Sequence, residues 1–91
     1  MLRIITEQRA HDVHLGLHGT VADEGVAILE RHWRGILEQV PSAIVNVGLS
    51  NVVFIDTYGQ RLLRRMAQCG VTFEAAGCMN RYVIERIAGG M

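Results

Sequence analysis

The sequence lacks several residue types that common enzyme classes need. It contains no lysine, one proline and few aromatic residues, which make up 5% of its 91 residues. The missing lysine excludes Schiff-base chemistry and a phosphate-binding loop of the lysine type. The two cysteines, Cys69 and Cys78, lack the paired spacing of zinc or redox motifs, so we expect buried or half-buried structural thiols in a reducing compartment.

Charge and length narrow the range of functions further. Nine arginines offset nine acidic residues, so the net charge is zero and does not favour binding to nucleic acid or to a membrane surface. No apolar run is long enough to insert across a bilayer, and Glu7 comes too early for the apolar region of a signal peptide. We therefore expect a cytoplasmic protein. A chain of this size predicts one domain, residues 1–91, without a deep enclosed active site.

Catalytic and metal-binding patterns are weak. The two serines, Ser42 and Ser50, have neither a Gly-x-Ser-x-Gly elbow nor a base beside them. His11, His14 and His18 are close in sequence, but His14 and His18 would stand about 13 Å apart on a strand. Zinc ligands converge to about 2 Å from one ion. We therefore predict no catalytic activity, no metal site and no cofactor.

The first segments predict a β-hairpin. Residues from Leu2 to Ala10 alternate loosely between apolar and polar, which favours a partly exposed strand. Residues from Asp12 to His18 alternate cleanly and predict a half-buried strand whose inner face is Val13, Leu15 and Leu17. The turn between the two strands should fall near Ala10 to Asp12.

A long helix should follow the hairpin. Thr20 or Asp23 is the predicted cap, the helix body runs to Gln39, and Pro41 stops it. One stripe of the helix is apolar: Val26, Leu29, Trp33, Ile36, Leu37 and Val40. A strand, a crossover helix and a further strand in one sheet form a right-handed unit, so the strands on either side of this helix should be parallel.

Residues 43–60 form the central feature of the sequence, an apolar run that stops at Asp56 and Thr57. Its β-branched residues predict an inner strand covered on both faces. Thr57 and Gln60 match a capping box, so the next helix should begin at Thr57 with the threonine hydroxyl as its cap. The carboxyl ends of inner strands are where open α/β sheets place functional groups.

The remaining residues predict a helix, a strand and a helix. The helix that begins at Thr57 should end at Gly70 in a left-handed conformation. A short strand is predicted from Val71 to Ala75, and a last helix from about Met79 to Ala88. The predicted fold class is α/β, with a mixed four-stranded sheet and the order β-β-α-β-α-β-α.

The sequence resembles the STAS domain, the fold of anti-sigma factor antagonists and of the cytoplasmic tails of sulfate transporters. The matching stretches are Val52–Gly59, Leu62-Leu63 and Gly70–Gly77, with Val83 and the earlier Leu15–Gly19. The resemblance implies a STAS-like fold over nearly the whole chain. Because the chain ends at Met91, before the family's final strand and helix, we expect a minimal or trimmed version of the domain.

The same resemblance implies a regulatory function without catalysis. In the antagonists, the hydroxyl residue after the aspartate is phosphorylated by an anti-sigma factor kinase, and Thr57 matches that position, although serine is usual there. The implied partner is an anti-sigma factor or serine kinase. The implied binding surface consists of Asp56, Thr57, Tyr58, Gly59, Arg61, Arg64 and Arg65.

Two other interpretations remain open. The family also supplies a small subunit of phospholipid-transport ABC complexes, in which an aspartate-threonine pair resembles Asp56-Thr57. In that case the partner would be an ABC transporter subunit. A small enzyme or metal protein is disfavoured, because the chain lacks a nucleophile-base pair and converging ligands. Self-association into a homo-oligomer is compatible with all of these interpretations.

Overall fold

The N-terminal segments form the predicted hairpin. In the computed structural model, which describes residues 1–74, strand β1 spans Leu2–Arg9 and pairs antiparallel with strand β2, Asp12–Val21. The pairing leaves a two-residue turn, in which Ala10 takes a φ of 50°. Positive φ is what the tight turns of hairpins require. The hairpin prediction is confirmed, and β2 continues beyond its predicted end at His18.

A crossover helix joins β2 to a parallel neighbour. Helix α1 spans Glu24–Gln39 and strand β3 spans Ile44–Ile55, which pairs parallel with β2. Helix α2 spans Thr57–Gln68 and leads to strand β4, Thr72–Glu74, on the far side of β3. The sheet order is β1-β2-β3-β4, with β3 inside the sheet. The predicted α/β architecture and the parallel pairing of β2 and β3 are confirmed.

Part of the predicted C-terminus lies outside the described residues. This applies to Ala75 at the end of the predicted last strand, to Cys78, and to the helix predicted from Met79 to Ala88. Cys69 is described and is exposed, so the prediction of a buried or half-buried thiol is wrong at this position. Within residues 1–74, neither helix is long and apolar enough to cross a membrane.

One face of the sheet carries the hydrophobic core. Two right-handed crossovers that continue in the same direction across a sheet place their helices on the same side, so α1 and α2 share this face. The most deeply buried side chains come from alternate positions of β2 and β3 and from both helices: Leu15, Leu17, Val21, Leu29, Val47, Leu49, Leu62, Leu63 and Met66.

The prediction that β3 is covered on both faces is wrong over the described residues. Because α1 and α2 both lie on the core face, residues 1–74 leave the other face open, and Ile44 and Gly48 of β3 are not buried. On this open face, Asn46 donates from Nδ2 to Oγ1 of Thr72 at 2.8 Å. Its Oδ1 lies 2.9 Å from Nδ1 of His14. The open face therefore carries a polar chain of hydrogen bonds across three strands.

A glycine fixes the end of α2. Gly70 has a φ of 96°, its N–H donates to the carbonyl of Ala67, and the N–H of Val71 donates to the carbonyl of Met66. These two bonds form a Schellman motif, in which the buried Val71 follows the glycine. The predicted helix end at Gly70 is confirmed.

The first turn of α2 approaches the backbone of β2 closely at Gly59. A β-carbon at Gly59 would overlap the carbonyl oxygen of Val21 and would lie 2.9 Å from Cγ2 of Ile55. Gly35, in α1, is a matched control, because a β-carbon there has nothing within 4 Å. Alanine substitutions at the two glycines therefore distinguish the effect of close packing from that of helix propensity.

We predict that Gly59→Ala lowers the free energy of unfolding by about 2 kcal/mol, because helix and strand must move apart. Gly35→Ala should raise it by about 0.5–1 kcal/mol, because alanine is the better helix former. Urea unfolding of both variants beside the wild type measures the difference. Equal stabilities for the two variants would show that α2 is not seated on β2 in this way.

Candidate functional site

Two strand-to-helix turns meet at the carboxyl ends of β2 and β3. The first turn consists of Ala22 and Asp23, before α1, and the second turn is Asp56, before α2. The two turns are in contact, because the N–H of Asp56 donates to the carbonyl of Val21 at 3.1 Å. Neighbouring parallel strands thus bring both helix starts to one edge of the sheet, the usual location of functional groups in open α/β sheets.

The Asp56 carboxylate holds both turns. Its Oδ1 accepts a hydrogen bond from the N–H of Gly59 at 2.7 Å, and its Oδ2 accepts one from the N–H of Asp23 at 3.2 Å. The first bond caps α2, and the second joins α2 to the start of α1. Both carboxylate oxygens are therefore engaged within the chain, and Asp56 is a positioning residue.

The predicted capping box at Thr57 and Gln60 is wrong. The N-cap of α2 is Asp56, whose extended backbone (φ −81°, ψ −178°) lets its side chain reach the Gly59 amide. Thr57 already lies in the helix, so its hydroxyl is not placed to cap the first turn. The spacing of Asp56 and Gly59 is the sequence signal for this cap, and the threonine directly after the aspartate obscured it.

The predicted cap position of α1 is confirmed at Asp23, but the predicted capping by its side chain is not. Asp23 occupies the N-cap position, but its side chain makes no capping hydrogen bond. Its backbone has φ 52° and ψ −122°, whereas a side chain that caps comes from extended backbone. The hydroxyl of Thr20, the other predicted cap, accepts a hydrogen bond from the N-terminal amine of Met1 at 3.1 Å. Asp23 is one of two non-glycine residues with positive φ in the described chain, and its N–H is the group bound by Asp56.

Three of the predicted binding residues are exposed at the start of α2. Thr57 is exposed, and its hydroxyl makes no hydrogen bond within the described part of the chain. Tyr58 is 68% exposed, and the guanidinium of Arg61 lies 5.7 Å from the centre of its ring. This distance allows a cation-π contact between neighbouring side chains of the helix. The three residues present a hydroxyl, an aromatic ring and a cation to solvent.

Two other predicted binding residues have structural contacts, and a third is half-buried. Gly59 is buried against β2. Arg65 donates to Oε2 of Glu30 at 3.3 Å, an oxygen that Arg34 also contacts at 2.8 Å, so Arg65 links α2 to α1. Arg64 is half-buried, and its Nε is enclosed without a hydrogen-bond partner. Gly59 and Arg65 would therefore contribute to a binding surface by fixing the position of α2.

The sequence did not predict two exposed apolar residues that precede the exposed start of α2. Val53 and Phe54, near the carboxyl end of β3, are 74% and 57% exposed, whereas the inner-strand prediction expected them to be covered. The β2–β3 pairing shifts register twice, the second time between Val52 and Phe54, so the alternation breaks and Val52 and Ile55 are the buried pair. The sequence signal for this break was the polar pair Ser50-Asn51, which interrupts the apolar run of β3. We define the β3–α2 surface as Val53, Phe54, Thr57, Tyr58 and Arg61.

The histidines lie away from this surface. His14 and His18 lie on the open face of the sheet, and His11 lies in the hairpin turn. Nε2 of His14 is 3.7 Å from Oε1 of Glu74. Among residues 1–74, no three side chains of the kinds that bind metals form a cluster.

Comparison with known proteins gives a fold and no sequence family. No protein-family model matches the sequence, and a search of curated proteins finds no match. A solved structure does match: an uncharacterized protein of the DUF3478 family from Shewanella loihica PV-4, with a SpoIIAA-like fold. The TM-score is 0.63 at 11% identity, over 97% of this chain and 77% of that one. The chain therefore has a SpoIIAA-like fold, which confirms the predicted STAS-like fold.

Two crystal structures of a longer protein, Mglu, are also similar. One has a TM-score of 0.62 at 24% identity over 81% of this chain. The other, of Mglu in its native form in the presence of 4.3 M NaCl, has a TM-score of 0.50 at 21% identity over 96% of this chain. The chain spans 19% and 27% of the two Mglu chains. The likeness concerns the fold alone.

We predict that stability depends on Asp56 and not on Thr57. Asp56→Ala removes the cap of α2 and its link to α1 together, and should lower the free energy of unfolding by about 2–3 kcal/mol. Asp56→Asn keeps one acceptor and should cost about half as much. Thr57→Ala removes an exposed hydroxyl and should stay within about 0.5 kcal/mol of wild type. Urea unfolding of the three variants tests this ranking, which a costly Thr57→Ala would contradict.

Proposed function

We propose that this chain is a non-catalytic regulatory module that binds a protein partner through the β3–α2 surface, in the manner of anti-sigma factor antagonists. The proposal rests on a contrast between neighbouring residues at the start of α2. Asp56 is engaged within the chain by two hydrogen bonds, whereas Thr57 and Tyr58 are exposed directly beside it. The partner would be an anti-sigma factor or a serine kinase.

The composition of the β3–α2 surface supports a protein partner. Its exposed apolar side chains, Val53, Phe54 and Tyr58, adjoin the cation of Arg61. Aromatic residues and arginine are enriched at protein interfaces, where they supply most of the binding energy. The fixed backbone beneath them, held by Asp56, would reduce the entropy lost on binding.

Thr57 is the proposed site of phosphorylation. Its hydroxyl is exposed at the first position of α2, where a kinase could reach it. A phosphate there would add close to two negative charges, which the positive end of the helix dipole tolerates within the domain. The same charges would have to be desolvated in a packed interface, so phosphorylation would release the partner. In the alternative function, the partner is an ABC transporter subunit that contacts the same surface.

We predict that Thr57→Asp binds the partner at least about tenfold more weakly than Thr57→Ala, because only aspartate brings an unpaired charge into the interface. Mass spectrometry of proteins captured from the source cells identifies the partner, and titration of the purified partner measures the affinities. Gln68→Asp, which adds the same charge at the opposite end of α2, is the control and should bind like wild type. If Thr57→Asp also binds like wild type, the start of α2 is not the interface.

The apolar part of the surface gives an independent test. Phe54→Ala should weaken partner binding at least about tenfold with little change in thermal stability, because the ring is 57% exposed in the unbound chain. Ile44→Ala is the matched control, since Ile44 is 59% exposed at the other end of the same strand. Both variants are titrated against the same partner. Equal losses for the two would show that Phe54 is not an interface residue.

A further inference from the structure

The outer edge of β1 offers unpaired backbone groups. Among residues 1–74, β1 has a partner only on its β2 side. The N–H of Thr20 donates to the carbonyl of Met1, so odd-numbered residues of β1 bond to β2. The outward N–H and C=O groups therefore belong to the even-numbered residues Leu2, Ile4, Thr6 and Gln8. Such an edge is a template for a further strand.

We propose that a second copy of this chain pairs with β1 along this edge. The two β1 strands run antiparallel about a twofold axis at Ile5, which makes one continuous sheet through both copies. In this register Leu2 pairs with Gln8 of the second copy, and Ile4 pairs with Thr6 of the second copy. All four are residues whose backbone groups point outward, so every pair can exchange two hydrogen bonds. This surface is separate from the β3–α2 surface.

The charges on β1 select this register. The side chains of Arg3, Ile5 and Glu7 share the open face of the sheet and are all exposed. With the axis at Ile5, Arg3 faces Glu7 of the second copy, and symmetry repeats the pair. Shifting the pairing by two residues in one direction places Arg3 opposite Arg9, and shifting it in the other places Arg3 opposite Ile5. Of these three registers, only the proposed one pairs opposite side-chain charges at both ends.

The positions of these side chains favour close contact. Odd-numbered residues of β1 occupy non-hydrogen-bonded positions of the new pairing, where side chains on facing strands approach most closely. Ile5, 42% exposed in the single chain, would pack against its own copy on the axis. The existing contact of Glu7 with Arg9 is 3.9 Å long and more than half exposed, so Glu7 remains available to Arg3.

Helix α1 extends the same surface on the core face. His32 lies over the edge strand, with Nε2 2.8 Å from Oγ1 of Thr6. Ile28, one turn earlier, is 42% exposed. Because α1 contacts both β1 and β2, joining the two β1 strands would bring the two α1 helices to about 10 Å, a normal packing distance. The pairing would therefore cover Ile28 as well as Ile5.

Sedimentation equilibrium of the full chain tests the proposal. Over a roughly hundredfold range of concentration, the mass should rise from 10.1 kDa towards twice that value. Arg3→Glu and Glu7→Arg each set like charges opposite one another at both ends, and each should weaken the dimer at least about tenfold. Glu38→Arg makes the same charge change as Glu7→Arg on the exposed side of α1 and should leave the dimer unchanged.

Mixing the two charge variants gives the most selective result. An Arg3→Glu chain and a Glu7→Arg chain are complementary at both ends, so their mixture should form a heterodimer at a concentration where each variant alone is mostly monomeric. All substituted residues are exposed, and circular dichroism checks that each variant is folded. A wild type that stays monomeric overturns the proposal. So does a dimer that the charge variants leave intact, or a mixture that stays monomeric.

Discussion

The Asp56 carboxylate is the interaction on which the start of both helices depends. One of its oxygens caps α2 at Gly59, and the other holds the N–H of Asp23 in the preceding turn. A carboxylate at a helix start is favoured by the helix dipole, and hydrogen bonds to a charged acceptor are stronger than neutral ones. The positive φ of Asp23, which is unfavourable for a residue with a side chain, is retained because this bond uses the N–H that the conformation presents.

Close packing at Gly59 is also needed to bring the start of α2 to the Asp56 carboxylate. The absence of a side chain lets α2 approach the carbonyl of Val21, and this approach brings the Gly59 amide within reach of Asp56. With the aspartate and the glycine engaged within the fold, the next exposed positions are Thr57 and Tyr58. A residue pair that looks like one motif in the sequence, Asp56-Thr57, is therefore divided into a structural residue and an exposed one.

The parts of the fold that were predictable from sequence are those set by local patterns. Strict alternation located β2, the apolar stripe located α1, and Gly70 located the end of α2. One error, the cap of α2, was local, because Asp56 and Gly59 are three residues apart. The other errors concern interactions between distant residues. The bond between Asp23 and Asp56, the link from Glu30 to Arg65 and the register shifts of β3 each depend on a partner from another element. No spacing within one segment encodes them.

The exposure of the β3–α2 surface also depends on contacts between elements that are distant in the sequence. An apolar run gives no sign of which face the helices will cover, and within residues 1–74 the two consecutive crossovers cover only one face. The exposed side chains of Val53 and Phe54 follow from the register shifts, which a mild polar interruption at Ser50-Asn51 marked only faintly. Binding surfaces commonly arise where a regular pattern fails, because regular positions are used by the core.

The hydrogen bond that links the two helix starts also has a consequence for the order of folding. The hairpin of β1 and β2 closes between neighbouring residues, whereas β3 must find β2 across the whole of α1, with Asp12 beside Ile44. Chain entropy delays such long-range pairing. The bond from Asp23 to Asp56 requires both crossover turns to be in place, so the start of α2 acquires its final shape only after the sheet has assembled. A partner that recognises that shape would bind folded chains and pass over incomplete ones, which would make recognition a check on folding.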